Sequence, residues 1–148
     1  DAQRTLLSGF TRQVNILIIS GTWCGDCVQQ VPMLDHIERA NPGKIALRVI
    51  DRDKNLDLAE PIAICSGLRV PTVLFLNEDF DFCSLMGDRS LSRYRAMAAA
   101  KLGASCPLPG APVPPDEIAS TLQDWINELE RVQLMLRLSP KLRERYAD

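Results

Sequence analysis

The sequence predicts an α/β fold, a central mixed β-sheet flanked by helices, with an extra helix at the C-terminal end. Three patterns carry that prediction. Val14 to Ile19 is a nearly unbroken apolar run, broken only by Asn15, of the kind found in a central strand buried on both faces. From Val28 the apolar positions Val31, Leu34 and Ile37 follow at three-residue spacing, which is helical. Val73 to Leu76 and Phe80 to Leu85 are two strand-like runs joined by Asn77-Glu78-Asp79, a connection short enough for an antiparallel hairpin.

Taken in order, residues 1 to 13 place Leu6, Leu7 and Phe10 among polar neighbours, which suits either a short helix on the domain edge or a lead-in strand. Ser20, Gly21 and Thr22 end the first strand. The helix from about Val28 stops at Asn41-Pro42-Gly43, and Pro32 inside it removes a backbone hydrogen bond and should kink it. Ile45 to Ile50 reads as a second strand leading into the charged turn Asp51-Arg52-Asp53-Lys54. Strand, helix, strand with this connection implies a right-handed parallel crossover. Asn55 is suited to cap a helix through about Cys65, with Leu56, Ile62 and Ala63 on its apolar side, Pro61 interrupting it and Gly67 ending it. Ser90 is suited to cap a further helix to about Leu102.

Composition shifts at Ser105. Cys106 to Pro115 holds five of the ten prolines and reads as an extended strap. Asp116 and Glu117 open a last helix with the negative charge that a helix N-terminus favours. Its residues Ile118, Leu122, Trp125, Leu129, Val132 and Leu136 alternate spacings of four and three over about two and a half heptads, fewer than a coiled coil needs. Packing back onto the preceding domain is the simpler expectation, and a homodimer or partner contact is the alternative. The organisation expected is a domain over 1–102, a proline-rich strap over 103–115 and a C-terminal helical extension over 116–148.

The chain has 148 residues, 46% of them apolar and 24% charged, with a formal net charge of -2, enough for one core and without the basic surplus that draws nucleic acid or an anionic membrane. No apolar stretch reaches the roughly 18 residues of a membrane-spanning helix. A cytoplasmic location is expected, with the periplasm or secretion left open because residue 1 is Asp and not Met.

Five cysteines are present, and only Cys24 and Cys27 are close in sequence. They fall between the first strand and the following helix, in Thr22-Trp23-Cys24-Gly25-Asp26-Cys27. Two intervening residues let the sulfurs close a bond, and the helix N-terminus stabilises a thiolate on the first. A structural zinc site usually needs four ligands, and no second close pair exists, so dithiol redox chemistry is the stronger reading. Cys65 and Cys83 read as small buried apolar residues, and Cys106 as an exposed residue of the strap, with a reversible cross-link as its minor alternative. His36 reads as a surface or packing residue. Arg89 could touch substrate, although a solvated loop charge is its default.

In combination these features resemble the thioredoxin family over about residues 14 to 102. Trp23-Cys24-Gly25-Asp26-Cys27 resembles the family's W-C-G-P-C active site except at Asp26, a variant that resembles a bacterial branch of thioredoxin-like proteins. Pro32 falls five residues after Cys27, where the family has its kinking proline. Val70-Pro71-Thr72 matches its cis-proline segment, and Gly87, sixteen residues beyond Pro71, matches the glycine beside its substrate groove. The resemblance implies that Cys24 attacks a substrate disulfide, that Cys27 resolves the mixed disulfide, and that Val70, before a cis Pro71, pairs with the substrate backbone. Trp23, Gly25 and Gly87 would line the groove.

Two departures stand out. Ile18 occupies the position of the family's buried proton-relaying aspartate, and the lysine beside it maps near Leu47, so an apolar pair replaces a polar one. Asp26 replaces proline and brings a carboxylate that suits a helix start but opposes a neighbouring thiolate, marking it as a redox tuner or proton carrier.

The expected function is thiol-disulfide exchange with protein disulfides, most simply as a reductase, needing a reductase or other electron donor and no organic cofactor. The alternatives are a thioredoxin-fold binding module whose C-terminal helix makes the specific contact, and an extracytoplasmic disulfide oxidase or isomerase.

Overall fold

A computed structural model describes residues 1–102 and 116–148; the proline-rich segment and Cys106 lie outside the described residues. The elements are α1 (Ala2–Ser8), β1 (Val14–Ser20), α2 (Gly25–Ala40), β2 (Ile45–Asp51), α3 (Leu56–Ala59), β3 (Thr72–Leu76), β4 (Phe82–Gly87), α4 (Leu91–Leu102), α5 (Glu117–Leu138) and α6 (Pro140–Tyr146). One sheet runs in the order β2-β1-β3-β4. β1 and β2 are parallel, while β1 with β3 and β3 with β4 are antiparallel, so the sheet is mixed as expected.

β1 is central because its side chains feed two apolar clusters. Ile16 and Ile18 join the main core with Met33, Leu34 and Ile37 of α2 and Val73 and Phe75 of β3. Ile19 joins a smaller cluster with Cys27, Ala59 and Val70. Alternate residues of a strand face opposite ways, so a run without polar alternation is what a strand buried on both faces requires. β2 lies at an edge, and its Leu47 is closed to further pairing. Glu38 Oε1 accepts from Leu47 N–H at 2.8 Å, and Arg48 Nη1 donates to Leu47 O at 2.8 Å. Side chains that occupy edge groups in this way block pairing with another strand.

Several local expectations are revised. Residues 2–8 form a helix, so the lead-in strand is absent. α2 begins at Gly25, three residues before the apolar pattern does, because the residues between the cysteines already turn helically. The helix expected from Asn55 to Cys65 is one α-turn followed by a short 3₁₀ turn, Glu60–Ile62, with Pro61 in it. Leu56 and Ala63 are exposed, and Ala59 is the buried residue of that segment. Asn55 makes no cap bond; its side chain donates to Asp51 O at 2.7 Å. By contrast, Ser90 Oγ accepts from Arg93 N–H at 3.3 Å and does cap α4.

The heptad seam of α5 packs back onto the sheet layer. Trp125, Leu129, Val132 and Leu136 lie in the main core beside Leu7 and Phe10 of the N-terminal region. Of the seam residues, Ile118 is exposed and Leu122 only partly buried. The seam is therefore occupied within the chain, and a homodimer would have to use other residues of the helix. α6, which no sequence pattern announced, adds Leu142 to the same core and is capped by Ser139 Oγ at 3.4 Å from Leu142 N–H. Among the described residues, no helix is long and apolar enough to cross a membrane.

Candidate active site

The C-x-x-C segment opens α2 with Cys24 in the N-cap position. Both cysteines are free thiols, Cys24 half-buried and Cys27 buried. That asymmetry follows from the helix start. Cys24 stands at the open end of the helix, and Cys27 turns inward against Ile19, Ala59 and Val70. Cys24 Sγ donates to Val70 O at 3.5 Å. The Val70–Pro71 peptide is cis, as is Gly87–Asp88.

The expected groove residues gather around this pair. Trp23 is 61% exposed. Its ring lies over Gly21, where a Cβ would stand 2.7 Å from the indole, and under the Arg52 guanidinium at 4.7 Å, a cation–π contact. A Cβ on Gly25 would meet nothing within 4 Å, so this side of the site is open. Gly87 pairs with Thr72 directly after Pro71, and a Cβ there would lie 2.6 Å from Pro71 O. Only glycine lets the two segments approach this closely.

Ile18 is fully buried in the main core, while its neighbour Ile19 is the β1 residue clustered with Cys27. Burial pushes the Cys27 thiol up from its ordinary value of 9.0, and Cys24 adds to this; the Ser20 hydroxyl and the Gly21 backbone beside it pull it down. Ser20, read from the sequence only as the end of a strand, is thus the polar neighbour of the inner cysteine.

Asp26 is not a free charge beside a thiolate. Its side chain is 11% exposed and is clamped by Arg89 Nη2 at 2.8 Å and Arg93 Nε at 3.2 Å. Arg89 is therefore not the solvated loop charge expected. It also reaches Asp88 at 3.1 Å, and Asp88 in turn binds Arg69 at 3.3 Å and accepts a hydrogen bond from the Tyr94 hydroxyl. Burial alone would raise the Asp88 carboxyl; the Tyr94 hydrogen bond and the charges of Arg89 and Arg69 hold it below its usual range. A weak signal for this web exists in the sequence. Arg89 and Arg93 lie four apart at the start of a helix, where a cation opposes the macrodipole and needs a carboxylate partner.

The leftover cysteines divide. Cys83 is half-buried and packs against the main core. Cys65 is exposed, against expectation, because it sits with Ser66 in a tight turn in which both have positive φ, 49° and 59°. Ile64 and Gly67 close that turn through paired backbone bonds of 2.9 and 3.0 Å. His36 is on the surface, as expected.

Sequence and structure comparisons agree with this geometry. A family model described as Thioredoxin matches residues 1–101. The chain belongs to the thioredoxin family. Among solved structures, this thioredoxin-family chain is similar to a Pseudomonas aeruginosa protein of unknown function. The two are 22% identical, with 88% of this chain and 71% of that one aligned at a TM-score of 0.65. An HIV epitope-scaffold is 24% identical, with 90% of this chain and 68% of that one aligned at a TM-score of 0.55. At 88% and 90% of this chain, both alignments run past the residues that the family model matches. At such identity they speak to fold alone.

Proposed function

We propose that this thioredoxin-family protein is a thiol-disulfide oxidoreductase that reduces protein disulfides through Cys24 and Cys27. The observation that supports it best is the unequal exposure of two free thiols at one helix start, the outer one beside the Val70 carbonyl. Cys24, as thiolate, attacks one sulfur of the substrate disulfide; that S–S bond breaks and the other substrate sulfur leaves as a thiolate. Cys27 gives up its proton and attacks Cys24 Sγ, which releases the second substrate thiolate and leaves a Cys24–Cys27 disulfide. Two electrons pass to the substrate, whose two sulfurs take up two protons. A reductase or a small thiol then returns two electrons to the protein.

In this reading Trp23, Gly25 and Gly87 border the groove, and the backbone of Val70, before Pro71, pairs with the substrate chain beside the sulfurs. Asp26 acts as a tuner and not as a proton carrier, since both its oxygens are engaged by guanidiniums. The test is titration of the couple in glutathione buffers, with insulin reduction as the activity. Cys24→Ser is expected to be inactive and Cys27→Ser to accumulate a mixed disulfide visible by mass spectrometry. A pair that cannot be cycled, or a Cys24→Ser protein as active as wild type, would overturn the proposal. A potential close to that of oxidising folding catalysts would reverse its direction.

A further inference from the structure

Helix α5 lies beyond the segment that matches the family, yet it reaches the redox site at three points. Its first residue, Glu117, accepts from Arg93 Nη1 at 2.7 Å, and the same guanidinium donates from Nε to Asp26 Oδ1 at 3.2 Å. Farther along, Asp124 Oδ2 accepts from Ser92 N–H at 2.7 Å and so holds the first turn of α4, the turn that carries Arg93. Beside it, Trp125 donates from Nε1 to Gln30 Oε1 at 3.2 Å, and Gln30 donates from Nε2 to Asp88 O at 3.0 Å. Trp125 and Gln30 are both fully buried.

The ion pairs form one web. Arg69, Arg89 and Arg93 stand against Asp26, Asp88 and Glu117, so the charges cancel. Removing one member leaves a net charge on a web that meets the C-x-x-C segment at Asp26, the residue before Cys27. Among the described residues Arg93 is the cation shared between the C-x-x-C segment and α5, and its position is set from both sides.

Resting on the disulfide-exchange reading above, we infer that α5 is a positioning element for the redox couple and that Glu117, acting through Arg93, sets its potential. The electrostatics give the sign. A positive excess beside the dithiol stabilises thiolate, hence the reduced form, and makes the couple easier to reduce. Glu117→Gln keeps an acceptor for Arg93 Nη1 and removes only the charge, leaving Arg93 in excess. Arg93→Gln leaves Asp26 undercompensated and acts the opposite way.

The experiment measures the equilibrium constant of the Cys24/Cys27 couple against glutathione in the full chain. Glu117→Gln is expected to move it toward the dithiol by roughly threefold or more, and Arg93→Gln to move it toward the disulfide by a similar factor. In the Arg93→Gln background the effect of Glu117→Gln should shrink, because Glu117 then no longer acts on the guanidinium that faces Asp26. Should that background fail to fold, Arg93→Lys replaces it, because an ammonium cannot bridge two carboxylates as a fork does and the dependence on residue 117 should again be reduced. An unchanged constant in Glu117→Gln, or an equal shift in both backgrounds, overturns the inference while the wild-type couple still cycles. A wild-type couple that does not cycle overturns the disulfide-exchange reading and this inference with it.

Discussion

A Cβ on Gly87 would sit 2.6 Å from Pro71 O and 3.1 Å from Thr72 Cα, both backbone atoms that cannot swing aside. Gly87→Ala must therefore push β4 away from the start of β3, the segment that holds Val70 O against Cys24 Sγ. Overpacking of this kind costs about 1–3 kcal/mol. Urea unfolding should show that loss, together with slower insulin reduction. An alanine variant as stable as wild type would show that the two segments are not held as close as described. The same residue scale separates what the sequence displays from what it conceals. Cys24, Cys27, Pro71 and Gly87 are legible because their chemistry tolerates few substitutes at fixed spacing. Ser20, Arg89 and Arg93 are common residues whose roles depend on which side chain lies opposite, and spacing along a chain does not carry that.

At the scale of elements, the clearest case is α5. Its heptad-like seam announces an amphipathic helix, but a periodic apolar face is compatible with a partner chain, a second copy or the helix's own domain. Here the domain takes it, and the buried Trp125–Gln30 hydrogen bond fastens α5 to α2. Trp125→Phe keeps most of the ring volume and removes the donor, leaving Gln30 Oε1 buried without it. A cost of about 1–3 kcal/mol is expected for the unsatisfied acceptor, measured by denaturant unfolding. Stability within a few tenths of a kcal/mol of wild type would mean the bond contributes little. The short helix after Asn55 is the complementary case. A cap-like residue and scattered apolar positions suggested several turns, but Pro61 and the tight Ile64–Gly67 turn stop the helix at Ala59.

For the molecule as a whole, pH should trim stability from both ends. The carboxyls of Asp88 and Glu128 lie below their ordinary values of 3.8 and 4.5 in the fold, so their contribution is complete above those values and is lost as pH falls through the depressed ones. The Cys27 and Cys83 thiols are raised by burial from 9.0, so their contribution is complete below that value and is lost as pH rises through the raised ones. Tyr94, raised from 10.0 by burial, adds a loss at still higher pH in either redox form. Urea unfolding from pH 3 to 10 should therefore give a plateau with an acid and an alkaline limb. The alkaline limb should be shallower for the protein carrying a Cys24–Cys27 disulfide, because Cys27 then has no proton to lose. Equal alkaline limbs in the two forms would contradict the burial of Cys27 as the cause.

The sequence by itself determined the mixed α/β sheet, the thioredoxin-like order of strand, C-x-x-C, kinked helix and hairpin, and the cysteine pair on which the site is built. Each of these is written in local terms: apolar period, turn residues, or reactive groups a fixed number of positions apart. Only the tertiary structure decided that α5 and α6 complete the core, that Cys65 is exposed, and that Asp26 is neutralised by Arg89 and Arg93 instead of standing open beside the thiols. The physical reason is separation along the chain. Asp26, Arg93 and Glu117 meet only after the sheet has brought α2, α4 and α5 together, and the charge one of them presents to the dithiol is settled by the other two.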